Sequence, residues 1–192
     1  MNVETELFNK EQEEIVRKVL ALSKTSRETG IGGKFSWNRY NGRVACNVVK
    51  YYLEKHLRSG LKAATSVFIK GLPIEFDILI IDKDAVPEEF TDAFDPESVH
   101  SVIEVKSHGT IGEERLEQIK RIFEKLDKEY GIKPIYLTIR EAGKPQRKGS
   151  KNWIEITTKI LSPYKVYVLS DSRKGELYPD QWKNFIEYIN SL

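Results

Sequence analysis

Two apolar runs of this sequence carry charged groups where a buried strand has no ordinary use for them. In Glu75-Phe76-Asp77-Ile78-Leu79-Ile80-Ile81-Asp82 the aromatic and mostly β-branched residues predict a strand, and Asp77 interrupts it. In Ser101-Val102-Ile103-Glu104-Val105-Lys106-Ser107, alternation puts Glu104 and Lys106 on one face and Ile103 and Val105 on the other. A charge inside such a strand is costly unless it is paired or metal-bound, so two acids and an amine are expected to meet. The chemistry that uses this trio is metal-assisted hydrolysis of a phosphodiester. Mg²⁺ prefers carboxylate oxygens and keeps several waters, so two acids and a substrate phosphate make a sufficient site. An ammonium beside them orients the attacking water or offsets charge building on phosphorus.

An aspartate at the start of one strand, followed by Glu-x-Lys on the next, resembles the signature of the PD-(D/E)XK nuclease superfamily. Asp77 matches the first acid, Glu104 the second and Lys106 the lysine; Phe76 stands where the superfamily's name has proline. The resemblance spans residues 40–170. It implies an α/β fold, a mixed central β-sheet flanked by helices of the restriction-endonuclease-like kind, with Mg²⁺ (or Mn²⁺) as cofactor and DNA as substrate. It also implies that Asp77 and Glu104 hold the metal while Lys106 positions water. Superfamily members often carry a glutamate on the helix before the first catalytic strand, and Glu54 matches it; the competing reading pairs Glu54 with Arg58 on the helix surface. RecB-like members carry a glutamine on the helix after the lysine strand, matched by Gln118, but Ile122 replaces the aromatic that follows it there.

The elements that must position these residues follow from periodicity and punctuation. Residues 6–29 read as a helix with Leu7, Ile15, Val19 and Leu22 at helical spacing, stopped by Gly30, Gly32 and Gly33; residues 1–30 form a possible extension to a single domain of 192 residues. Residues 32–43 mix glycines, cations and aromatics in a way that suits phosphate contact or base stacking, which nominates Lys34, Arg39 and Arg43 for DNA binding. A second helix is expected over residues 43–57, strands over 64–69, 135–139 and 165–169, and a closing helix over 182–189. The clearest helix is 113–130, striped by Leu116, Ile119, Ile122, Phe123 and Leu126 and ended by Gly131. Residues 82–99 are acidic, broken by Pro87 and Pro96, and read as a loop. Ser107 and His108 leave the lysine strand at the rim of the site, within reach of phosphate, and the cationic stretch Lys144, Arg147, Lys148 and Lys151 reads as a DNA-gripping loop.

Composition narrows the class. A net charge of +2 announces no nucleic-acid partner by itself, yet a nuclease combines a basic track with an acidic metal site. The single Cys46 permits neither an internal disulfide nor a thiolate cluster and reads as a small core residue, and no His/Cys spacing suits zinc. No apolar run is long enough to span a membrane, and the polar amino terminus without a signal core points to a cytoplasmic protein. The leading expectation is a Mg²⁺-dependent DNA endonuclease of type II restriction kind, acting as a homodimer because double-strand cleavage needs two sites. The alternatives are a structure-specific nuclease of junction-resolvase or repair type, an inactive DNA-binding module of the same fold, and an interaction domain whose acidic segment 82–97 meets a basic partner.

Overall fold

Apolar residues run unbroken from Ile78 to Ile81, and unbroken apolar strands belong in a sheet covered on both faces. The computed structural model, which describes residues 3–28, 34–108, 112–141, 153–171 and 176–192, has that arrangement. Its order is α1 (Val3–Glu28), α2 (Lys34–Leu53), β1 (Leu61–Ile69), β2 (Leu72–Asp82), β3 (Ala93–Phe94), a 3₁₀ turn (Pro96–Ser98), β4 (Val99–Lys106), α3 (Glu113–Tyr130), β5 (Lys133–Thr138), α4 (Trp153–Leu161), β6 (Lys165–Val168), β7 (Ser170–Asp171), β8 (Glu176–Leu177) and α5 (Gln181–Ser191). Six strands form one mixed sheet in the order β3-β1-β2-β4-β5-β6. β1, β2 and β4 are antiparallel neighbours, whereas β4, β5 and β6 run parallel, as does β3 beside β1.

Alternation distributes the side chains between two cores. Ile78, Ile80, Ile103, Val105, Ile135 and Leu137 pack under α1, α2 and α5, while Leu79, Ile81, Val102 and Tyr136 pack under α3 and α4. Helix α3 matches its expected span and stops at Gly131, whose φ of +68° is the left-handed backbone that glycine adopts without strain. Several expectations shift. Leu7 and Leu22 are 50% and 42% exposed, and Phe8 turns inward in place of Leu7. The second helix begins at Lys34, so the expected glycine-rich loop is largely helical. The acidic segment is not wholly irregular: it contains β3, which pairs with Phe68 and Ile69 of β1, and the 3₁₀ turn.

Helix α1 is fastened by two buried polar residues one after the other. Gln12 Nε2 donates to the carbonyls of Leu169 (2.7 Å) and Tyr178 (2.6 Å), and its Oε1 accepts the Trp182 backbone N–H at 2.9 Å. Glu11 Oε2 accepts the indole N–H of Trp182 at 3.2 Å and pairs with His56 Nε2 at 2.6 Å. One amide thereby bonds three backbone groups, two of them buried, in the segment after β6 and at the start of α5. Gln12→Ala leaves the Trp182 N–H without its acceptor and takes one donor from the Leu169 carbonyl, which keeps the Tyr178 N–H at 3.1 Å; it is expected to destabilise the protein by about 1–3 kcal/mol, read as a lower urea midpoint, and a midpoint unchanged from wild type contradicts that role.

Candidate active site

The site forms where two paired strands separate. β2 and β4 pair from Ile81 opposite Val99 to Ile78 opposite Ile103, with one register shift between Ile80 and Ile81. Beyond that point β2 remains with β1 as far as Leu72, and β4 remains with β5 as far as Lys106. The parting strands leave the Val105 N–H without a backbone acceptor on β2, and Asp77 Oδ2 takes that bond at 2.8 Å. Across β1 from Asp77 stands Ser66 in a left-handed backbone, φ +56°, an irregularity of the kind that re-aims a neighbouring strand residue.

Period-two geometry brings Glu104 and Lys106 to the same face, and Asp77 joins them across the gap. Lys106 Nζ is hydrogen-bonded to Glu104 Oε1 and lies 3.6 Å from Asp77 Oδ2. The side chains are 32% (Asp77), 19% (Glu104) and 26% (Lys106) exposed, so each keeps an edge to solvent. Burial, and then the Glu104 carboxylate, push the Asp77 carboxyl above its ordinary range, against the pull of Lys106 and the Val105 N–H. Burial alone would lower Lys106, but the Glu104 and Asp77 carboxylates outweigh it and hold the ammonium above its ordinary value. The trio is thus two acids sharing one firmly protonated amine.

Among the described residues no group of three His, Cys, Asp or Glu side chains is disposed to hold a metal ion. Two carboxylates with open edges suit a hard cation that retains most of its waters, and they lack the histidine or cysteine ligands with which zinc sites are usually built. Asp77 and Glu104 are the two residues that fit such a cation.

Other groups surround the trio. Tyr136 is the parallel-strand partner of Glu104; it is buried, and its hydroxyl has no hydrogen-bond partner among the described residues. Burial and the Glu104 and Asp77 charges push that phenol up. Cys46 on α2 is buried in the core with Ile78 and Val105, and desolvation followed by the Asp77 charge raises its thiol. Ser107 Oγ lies 3.1 Å from His108 Nδ1, and His108 Nε2 accepts from Arg140 Nη2, so a polar chain runs along the rim beyond Lys106. The Ile139 N–H donates to the Lys106 carbonyl at 2.8 Å, which fixes Arg140 beside the end of β4. Tyr136 and Arg140 carry no signal in the sequence, because only the β4–β5 register sets them beside Glu104 and Lys106.

Asp77, Glu104 and Lys106 come together, with Ser107 and His108 at their rim. Glu54 does not join them. It is exposed, pairs with Lys50 at 3.7 Å and not with Arg58, and sits just past α2, where the chain turns toward the opposite end of the sheet. Arg58 instead bonds Asn190. Gln118 is exposed and accepts from Arg115 at 2.8 Å. Arg39 and Arg43 are exposed on the N-terminal half of α2, four residues apart and so on one face, and Lys34 opens that helix. Lys144, Arg147, Lys148 and Lys151 lie outside the described residues.

No family model and no curated protein matches the sequence. Solved structures do share its fold. P. aeruginosa NucC in its cAAA-bound form aligns over 100% of this chain and 90% of its own at 12% identity, with a TM-score of 0.66. E. coli NucC in its cAAA-bound form aligns over 100% and 89% at 11% identity with a TM-score of 0.66, and its apo form over 100% and 91% at 13% with 0.59. The fold is therefore that of NucC, a mixed α/β sheet flanked by helices.

The charge arrangement has a testable sign. Asp77 binds its proton more tightly in the folded chain, so its contribution to stability is largest at low pH and is lost as the pH rises through its raised folded value. In metal-free buffer at neutral pH, Asp77→Asn is expected to raise stability by about 1 kcal/mol, with the gain shrinking on acidification. Lys106→Met leaves two carboxylates facing each other and is expected to lower stability by about 1–3 kcal/mol at neutral pH. Thermal melts at two pH values read both; shifts of the opposite sign contradict this electrostatic account.

Proposed function

We propose that the protein is a metal-dependent DNA endonuclease. The observation that carries the reading is the meeting of Asp77, Glu104 and Lys106 at the parting of β2 and β4, in a fold shared with NucC. Asp77 and Glu104 would hold Mg²⁺, with Mn²⁺ as the substitute, through their open edges. The bound metal supplies Lewis-acid polarisation of the phosphate and a water of lowered pKa.

The rest falls to the chain's own groups. The same electrostatics that hold Lys106 protonated suit it to orient a water and to face charge growing on the phosphoryl oxygens, and make it a poor general base. The Val105 N–H keeps Asp77 turned inward, so the carboxylate pair is set before substrate arrives. Arg39 and Arg43 on α2, and Arg140 with His108 and Ser107 at the rim, offer donors for the phosphates either side of the cleaved one.

Two finer readings concern how cleavage is directed. One is site-specific cutting of the restriction type by a homodimer. The other is control by cAAA, the ligand bound in two of the NucC structures that share this fold. Plasmid and branched-junction substrates incubated with Mg²⁺ or EDTA, with and without cAAA, separate them. Discrete fragments without cAAA mean site-specific cutting, cutting confined to junctions means a structure-specific enzyme, and cutting only with cAAA means effector control. Glu104→Ala and Lys106→Ala are each expected to reduce cleavage by about 10²-fold or more while leaving the fold and DNA binding in place; cleavage that survives both changes rejects the site.

A further inference from the structure

The segment between β2 and β3 has a fixed shape and an unusual surface. Residues 84–92 contain four carboxylates, Asp84, Glu88, Glu89 and Asp92, and no cation. Lys62 Nζ donates to the Ala85 carbonyl at 2.7 Å, the Glu88 N–H to the Ala93 carbonyl at 2.7 Å, and the Phe68 N–H to the Asp92 carbonyl at 3.1 Å. Thr91 Oγ1 closes the tip onto Glu88 Oε2 at 3.0 Å. On this braced turn Phe90 is 97% exposed with φ +71°, and Val86, four residues earlier, is 78% exposed. A phenylalanine held in left-handed backbone with its whole ring in water is unfavourable on both counts, and such a feature persists where function requires it.

The same chain carries a matching receptor. Leu72 and Ile74 of β2 and Ile122 and Leu126 of α3 floor a hollow of about 220 Å³, with Arg121 and Lys125 at its edge. An apolar cavity of about 150 Å³ admits benzene, so this one has room for a phenyl ring. Arg121 and Lys125 are both exposed, and Lys125 pairs with Glu129 at 3.9 Å along the helix. Knob and hollow are opposite in shape and opposite in charge, yet Phe90 of this chain does not fill its own hollow.

We propose that the occupant of the hollow is Phe90 of a second copy, with Glu88 and Glu89 of that copy facing Arg121 and Lys125. A second copy is favoured over another protein because both halves of the contact lie on one chain, and docking about a two-fold axis makes both contacts at once. The acidic segment thus finds its basic partner on the chain itself. This inference does not depend on nuclease activity, since none of these residues belongs to the Asp77, Glu104 and Lys106 site.

Sedimentation of the full chain tests it. Wild type is expected to run above the mass of one 22.2 kDa chain and to dissociate on dilution. Phe90→Asn removes the ring while keeping a residue that tolerates left-handed backbone, and is expected to weaken association about tenfold or more without lowering the melting temperature. Glu88→Lys with Glu89→Lys, and separately Arg121→Glu with Lys125→Glu, each set like charges across both contacts and are expected to weaken association alone. Mixing the two charge-reversed proteins restores opposite charges at both contacts and is expected to restore association between them. A wild type that stays a single chain, a Phe90→Asn protein that associates as wild type does, or charge variants that fail to rescue each other would overturn the proposal.

Discussion

Two carboxylates and one ammonium, all largely withdrawn from water, share the gap left where β2 leaves β4. Each charge alone would be expensive at that depth; the Lys106 ammonium offsets two carboxylates that repel each other. The arrangement needs the strands to be paired up to Ile78 and Ile103, so that the acids are brought close, and separated beyond, so that side chains rather than backbone fill the gap. The Asp77 bond to Val105 N–H serves both needs. It satisfies a donor that the ladder has abandoned, and it aims the carboxylate at the charges on β4.

Everything outside that gap can be read as a means of holding it. The sheet is buried on both faces, so its strands cannot slip by one residue without driving Ile78 or Leu79 into the wrong core. β4 is braced on both sides, antiparallel to β2 and parallel to β5, and it carries two of the three site groups. Stability is sacrificed locally: Asp77 sits at a raised pKa, and Ser66 opposite it holds a left-handed backbone. Functional sites commonly keep such strain where the surrounding packing enforces it.

Much of this arrangement is legible in the amino-acid sequence. Asp77, Glu104 and Lys106 stand out because a charge in a β-branched run violates the pattern around it, and α3 because its stripe and Gly131 agree. The rest depends on tertiary neighbours. Tyr136 and Arg140 reach the site only through the parallel register of β4 and β5, which no local pattern encodes. Leu7 and Phe8 are adjacent and both apolar, so periodicity alone does not say which turns inward; packing selects Phe8. The segment opening α2 reads as a loop from its glycine and aromatics, yet helix formation there is decided by burial of Ala45, Val49 and Leu53 further along the same helix. Glu54 follows directly on a helix with the right neighbours and still falls on the exposed side, next to Lys50.

The amide of Gln12 joins α1 to the segment after β6 and to the first turn of α5, and Glu11 beside it joins the same turn to the residue that follows α2 by three. No one of these pieces can lift away without breaking bonds made by the others. They therefore open as one cooperative unit, and α1 behaves as part of the wall behind the sheet rather than as an arm free to swing from it.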